Sequence, residues 1–188
     1  LLHIIGLEEV KEDKGGKKVI QRKKPANRDK ASLLESAIYQ LEDDFPNKEE
    51  CEAMALRLCI TWVNRLLFLK LVESQILMYQ KGDASYRFMS TDKIANFDEL
   101  NIFFFKVLGK KIEDRDEDVL KRYPNVPYLN SSLFEPTEDE KHLKIRGIPD
   151  AQMEIFNKTV LKDERGKRAK GTLPNLDYIF KFLDAYNF

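Results

Sequence analysis

Glu9-Val10-Lys11 is the stretch nearest in pattern to a reaction centre. An acidic residue and a lysine flanking one strand position form the metal-and-water half of many nuclease sites, where carboxylates hold the divalent ion that activates water. Such a site also needs an earlier acidic residue on a neighbouring strand, and this chain starts too late to contain it. With 34% of residues charged, the pattern recurs by chance. The polar face of a hairpin is the reading we favour. His3 and His142 stand alone, which suits surface or packing roles better than proton transfer. Lys14-Gly15-Gly16-Lys17 lacks both the spacing of a phosphate loop and the hydroxyl residue after its lysine. No Gly-x-Ser-x-Gly elbow occurs, and two cysteines and two histidines far apart in sequence spell no metal cluster. We expect no catalytic residue and no metal ligand.

Cys51 and Cys59 are eight residues apart. On one helix that is about 12 Å, beyond the ~7 Å limit for a disulfide. Both are expected as reduced thiols, Cys59 as a core filler, in a cytoplasmic protein. No signal peptide, lipidation motif or internal repeat is present.

Charge offers the stronger binding signal. The formal net charge is zero, so only local clustering argues for a polyanion partner. Lys14, Lys17, Lys18, Arg22, Lys23, Lys24, Arg28 and Lys30 make one basic cluster, and Lys158, Lys162, Arg165, Lys167, Arg168 and Lys170 another, diluted by Asp163 and Glu164. Lys17, Lys18, Arg22, Lys23, Lys24, Arg28, Lys167, Arg168 and Lys170 are the candidates for contacts to a DNA backbone, which cations attract by counterion release. The plain alternative is a pair of solvated loops.

The elements that must carry these residues are mostly helical. Glu49 to Gln80 has neither Pro nor Gly and runs roughly 45 Å at about 1.5 Å per residue. Met54, Leu58, Trp62, Leu66, Leu69 and Ile76 form one apolar face; Leu56, Cys59, Val63, Leu67 and Leu71 form another. Arg57, Asn64, Arg65, Lys70 and Glu73 interrupt every window long enough to cross a bilayer, leaving the buried centre of a bundle. Of the polar groups Asn64, Arg65, Lys70 and Glu73, the buried charges are expected in structural salt bridges and not in a ligand site; Arg65 and Glu73, two turns apart, can meet only through a third element.

Around this helix, two extended runs (His3 to Lys11 and Lys17 to Lys23) flank Lys14-Gly15-Gly16 and predict a hairpin. Ser32 and Glu35 have the capping-box spacing ahead of an amphipathic face of Leu34, Ile38, Leu41 and Phe45. A second helical pattern fills Thr91 to Gly109, with Asn96 or Asp98 as cap and Gly109 as stop. Two prolines make Tyr123 to Phe134 a loop, apolar enough to pack on the body. Glu135 to Glu140 predicts a short helix, His142 to Ile148 an extended run, Ile155 to Leu161 a weak helix and Lys162 to Gly171 a charged loop. Leu173 to Tyr186 predicts a final helix with Pro174 in its first turn.

Thr61 to Glu73, with Asn64-Arg65, an apolar run through Phe68, then Lys70 and Glu73, resembles a helix of large bacterial restriction–modification proteins of the type IIG-like kind. These carry an adenine-specific DNA methyltransferase, often fused to a restriction endonuclease. Phe97 to Leu108, Arg115, and Val126-Pro-Tyr-Leu-Asn-Ser-Ser-Leu-Phe134 follow in the same order, and Leu173 to Phe188 resembles the helix before the methyltransferase domain. The elements read above predict a mainly α fold, an irregular helical bundle around one long buried central helix with a short N-terminal β-hairpin, and the resemblance implies that this is a helical connector. It implies residues 1–28 as the hairpin and linker, the tail of an upstream nuclease-type domain, and 29–188 as a helical connector leading to a methyltransferase. The start at Leu1 and the apolar helical end fit an excised piece of a longer protein. Asn-Pro-Pro-Tyr and a Gly-rich S-adenosylmethionine loop do not occur, so this piece is expected to be inert alone. S-adenosylmethionine and Mg²⁺ belong to the expected parent, as does double-stranded DNA as partner, with no membrane. Tyr128, Leu129, Leu133 and Phe134 are the candidates for packing against a neighbouring domain. A protein-interaction module docking through Val126 to Phe134 is the alternative.

Overall fold

A computed structural model describes residues 1–11 and 17–186, and helices dominate it. The chain opens with one helical turn, α1 (Leu2–Ile5), because Ile4 and Ile5 turn inward to the core instead of extending. Gly6 closes it at φ +102°, and a Cβ there would meet Ser32 Oγ at 2.7 Å, so glycine is required twice over. β1 (Leu7–Lys11) then pairs antiparallel with β2 (Lys18–Arg22), Val10 opposite Val19. The expected Lys14-Gly15-Gly16 turn lies outside the described residues.

α2 (Leu33–Leu41) buries Leu33, Leu34, Ala37 and Leu41. Ser32 sits at its N-cap, but no capping box forms. Ser32 Oγ is buried without a partner, and Glu35 is drawn away to Arg22. α3 (Lys48–Tyr79) is the 32-residue helix expected from the sequence. Asn47 caps it, its Oδ1 accepting from the Glu49 amide at 2.9 Å. Met54, Leu58, Trp62, Leu66 and Leu69 are buried as one stripe and Cys59 and Val63 of the second apolar face are buried too, but Leu71 of that face is 48% exposed, as is Ile60 at 51%. Among the described residues no helix is long and apolar enough to cross a membrane.

α4 (Phe97–Ile102) starts at Asn96, whose Oδ1 accepts from Glu99 N at 3.0 Å. It continues as a π-helical segment, Phe103–Leu108, which ends at Gly109. α5 (Glu117–Arg122) follows, then the irregular proline-containing run. Glu135 to Glu140 and His142 to Ile148 form single tight turns, at Asp139–Lys141 and Ile145–Gly147, in place of the predicted helix and extended run. β3 (Gln152–Glu154) pairs antiparallel with β4 (Thr172–Pro174). In place of the weak helix predicted over Ile155 to Leu161 the chain runs irregularly, with Ile155 N bonded to Gly171 O and Phe156 N to the Tyr178 hydroxyl. α6 (Asn175–Asp184) completes the fold, with Pro174 at the N-cap position one residue ahead of the first turn.

One hydrophobic cluster joins all of this. Trp62 and Leu66 of α3 share it with Phe97, Phe104 and Phe134, with Ile179 and Leu183 of α6, and with Ile4 and Ile5. The N-terminal hairpin is tied to the helices through Arg22, whose guanidinium donates to Glu35 of α2 and Glu52 of α3 at 2.6 Å.

Candidate nucleic-acid interface

The polar side chains on the buried side of α3 are all engaged. Arg65 donates from Nη1 and Nη2 to the two oxygens of Glu140 (2.5 and 2.8 Å), from Nε to the Leu133 carbonyl and from Nη2 to the Glu135 carbonyl. Its guanidinium also lies 5.1 Å from the centre of the Phe105 ring. Glu73 Oε1 accepts from the Phe88 and Met89 amides, both at 2.7 Å, while Oε2 accepts from Lys70 at 2.9 Å. Lys70 also reaches Asp184 at the end of α6. Arg65 and Glu73 thus never meet. Each holds a different segment against the helix, as structural ion pairs do.

Burial pushes the Glu140 carboxyl up, but the Arg65 guanidinium, the Thr137 amide and the Trp62 indole outweigh it and hold the group below the usual carboxylate range. Burial alone pushes the Cys59 thiol to about 12, which makes it inert as a nucleophile. Glu9, the acid of the tempting nuclease pattern, is bound to Lys18 at 2.7 Å. His3 is a packing residue. Its ring stacks on Phe156 at 5.1 Å, Nε2 donates to the Glu154 carbonyl and Nδ1 accepts from Lys23 Nζ. His142 sits edge-on to Phe45.

These bonds redraw the first basic cluster. Lys18 is paired with Glu9, and Arg22 with Glu35 and Glu52. Lys23 is 8% exposed against His3; Arg28 donates to the Lys23 carbonyl and lies 3.7 Å from Glu35. Arg22 and Lys23 are therefore held inside the protein's own contacts, and only Lys17, Lys24 and Lys30 stand exposed without an ion pair among the described residues.

The second cluster is built differently. Residues 155–171 leave the β3–β4 pair as an arm whose base is fixed by buried Thr159 and Leu161 and by the Tyr178 hydroxyl. Its end, expected as an open loop, is a small hairpin. Lys162 bridges Arg168, Asp163 N bonds Lys167 O, and Gly166 turns the chain at φ +71°. Lys158, Lys162, Arg165, Lys167, Arg168 and Lys170 are all exposed, and none is in an ion pair among the described residues. The sequence carried the charge of this arm; its order comes from Asp163, whose carboxylate accepts from the Arg165 and Lys167 amides.

The apolar loop packs inward. Phe134 is 1% exposed, seated on Phe104 and Phe68, so it offers nothing to a neighbour; Leu129 donates its amide to Leu108 O, and Leu129, Leu133 and Tyr128 are half-buried.

Over residues 1–188 the sequence matches the family described as a domain of unknown function, DUF7814. The chain belongs to that family. No curated protein and no solved structure matches it.

Proposed function

We propose that this chain is a non-catalytic helical connector of a bacterial restriction–modification protein. It positions a nuclease and an N6-adenine DNA methyltransferase and touches the backbone of double-stranded DNA through exposed cations. The observation that carries the reading is the use of α3. Its polar side chains each close on a separate segment, Leu133 to Glu140, Phe88-Met89 and Asp184, which favours a stiff spacer over a reaction centre. The resemblance of Thr61 to Glu73 and Val126 to Phe134 to restriction–modification proteins supplies the parent's chemistry, with S-adenosylmethionine and Mg²⁺ acting there. Two buried free cysteines support a cytoplasmic setting. Titrating the full chain into labelled duplex DNA at low and moderate salt tests the DNA contact. Binding that weakens steeply with salt is expected; no binding, or salt-indifferent binding, removes that half of the function.

A second reading, an interaction module, is favoured by the open side of α3. There Ile60, Phe68 and Leu71 are exposed, and Leu133 of the proline-containing run is half-buried. The occupant in this reading is the neighbouring methyltransferase domain of the same polypeptide. Ile60→Glu with Leu71→Glu would then release the two modules to separate proteolysis in a longer chain containing both.

A further inference from the structure

We propose that the 158–170 arm, and not the N-terminal basic cluster, is the surface that grips phosphates of duplex DNA; this assignment rests on the DNA-contact reading above. The hairpin sorts its side chains by the two-residue period of paired strands. Leu161 is buried and Ala169 half-buried, so both face the body. Lys162 and Arg168, cross-strand partners, therefore share the opposite face, and Lys170 follows on it two residues later. Arg165 and Lys167 occupy the turn. Asp163 directs its carboxylate at two backbone amides and makes no ion pair among the described residues, so the arm sets six cations against two acids, Asp163 and Glu164.

Three consequences follow from the geometry. The cations are unneutralised within the described residues, whereas Lys18, Arg22 and Lys23 of the other cluster already have partners. They are pre-ordered by the turn, so binding need not order the backbone that carries them. And the outer face carries Lys162, Arg168 and Lys170, long cations of the kind that contact phosphate oxygens. The expected ligand is the duplex backbone, without sequence preference. Engaging about four phosphates gives a slope of log K against log salt near −3.6, a loss of roughly 100-fold between about 50 and 200 mM salt.

The test compares the full chain with two variants by anisotropy of a labelled duplex. The arm variant is Lys162→Gln/Arg168→Gln/Lys170→Gln, all on exposed side chains. The control is Lys17→Gln/Lys24→Gln, and both are checked for unchanged circular dichroism and melting. The arm variant should bind at least about tenfold more weakly, with its salt slope reduced by roughly 2–3; the control should stay within about twofold. An arm variant that binds like the parent chain, while the control loses affinity, overturns the assignment and leaves DNA contact standing. A parent chain that binds no duplex removes DNA contact itself, and tighter binding to anionic vesicles than to duplex overturns the choice of ligand.

Discussion

Arg65 and Glu140, 75 residues apart in sequence, close on each other as a two-toothed ion pair with both side chains at 0% exposure. The pair fixes the Leu133 to Glu140 turn against the middle of α3, with Trp62 Nε1 adding a third bond to the same carboxylate at 3.2 Å. Removing one partner from such a pair leaves an uncompensated buried charge, which costs about 3–5 kcal/mol. Arg65→Met and Glu140→Leu should each destabilise by that amount in urea unfolding. The double variant should regain at least about 1 kcal/mol over the sum of the singles. Full recovery is not expected, because the Leu133 and Glu135 carbonyls also lose their donor.

Acid should act in two steps. Glu140 is held below its usual range, so its contribution is complete above the unfolded carboxylate value and is lost as pH falls through the lower folded one. Burial, with Lys23 nearby, pushes His3 down against the pull of the Glu154 carbonyl and Asp29. Its contribution is complete above about pH 6.5 and fades below it, where the unfolded chain takes up the proton first. Stability measured by urea at stepped pH should therefore begin to fall between pH 7 and 5. His3→Gln should flatten that first step and leave the carboxylate step in place.

Gly109 is confined by its neighbours rather than by its dihedral angles. A Cβ there would lie 2.9 Å from the Phe134 carbonyl oxygen, backbone that Arg65 anchors through Leu133 and Glu135 on either side. Gly109→Ala should cost about 1–3 kcal/mol, seen as a lower urea midpoint with unchanged m-value.

Cys59 offers a probe of opening. Fully buried, and with its thiol raised to about 12, it should react with a thiol reagent at pH 8 only at the rate at which the core opens. Fast labelling of Cys59 in the native protein would contradict the packing of α3.

The long helix was legible because 32 residues without Pro or Gly admit little else. Asn96 was legible as a cap, since its side chain needs only local amides. Ser32 and Glu35 were misread for the converse reason: a local capping box lost to the long-range pairing of Glu35 with Arg22, which no window of sequence contains. The same limit hid the partners of Arg65 and Glu73. It also hid the division of the basic residues into an engaged cluster and an open arm, because that division depends on which acids fold against which cations. Asp163-Glu164-Arg165-Gly166 did carry a turn signal, masked by the charge around it.

The most direct test of a single stiff spacer is amide hydrogen exchange at Phe88, Met89 and Thr137. Phe88 and Met89 lie outside any helix or strand and their amides donate to Glu73; that of Thr137 donates to Glu140. If α3 clamps these segments, the three amides should exchange as slowly as Trp62 and Leu66 in the helix core, through global unfolding. Exchange at the rate of an open loop, while α3 stays protected, would contradict the account.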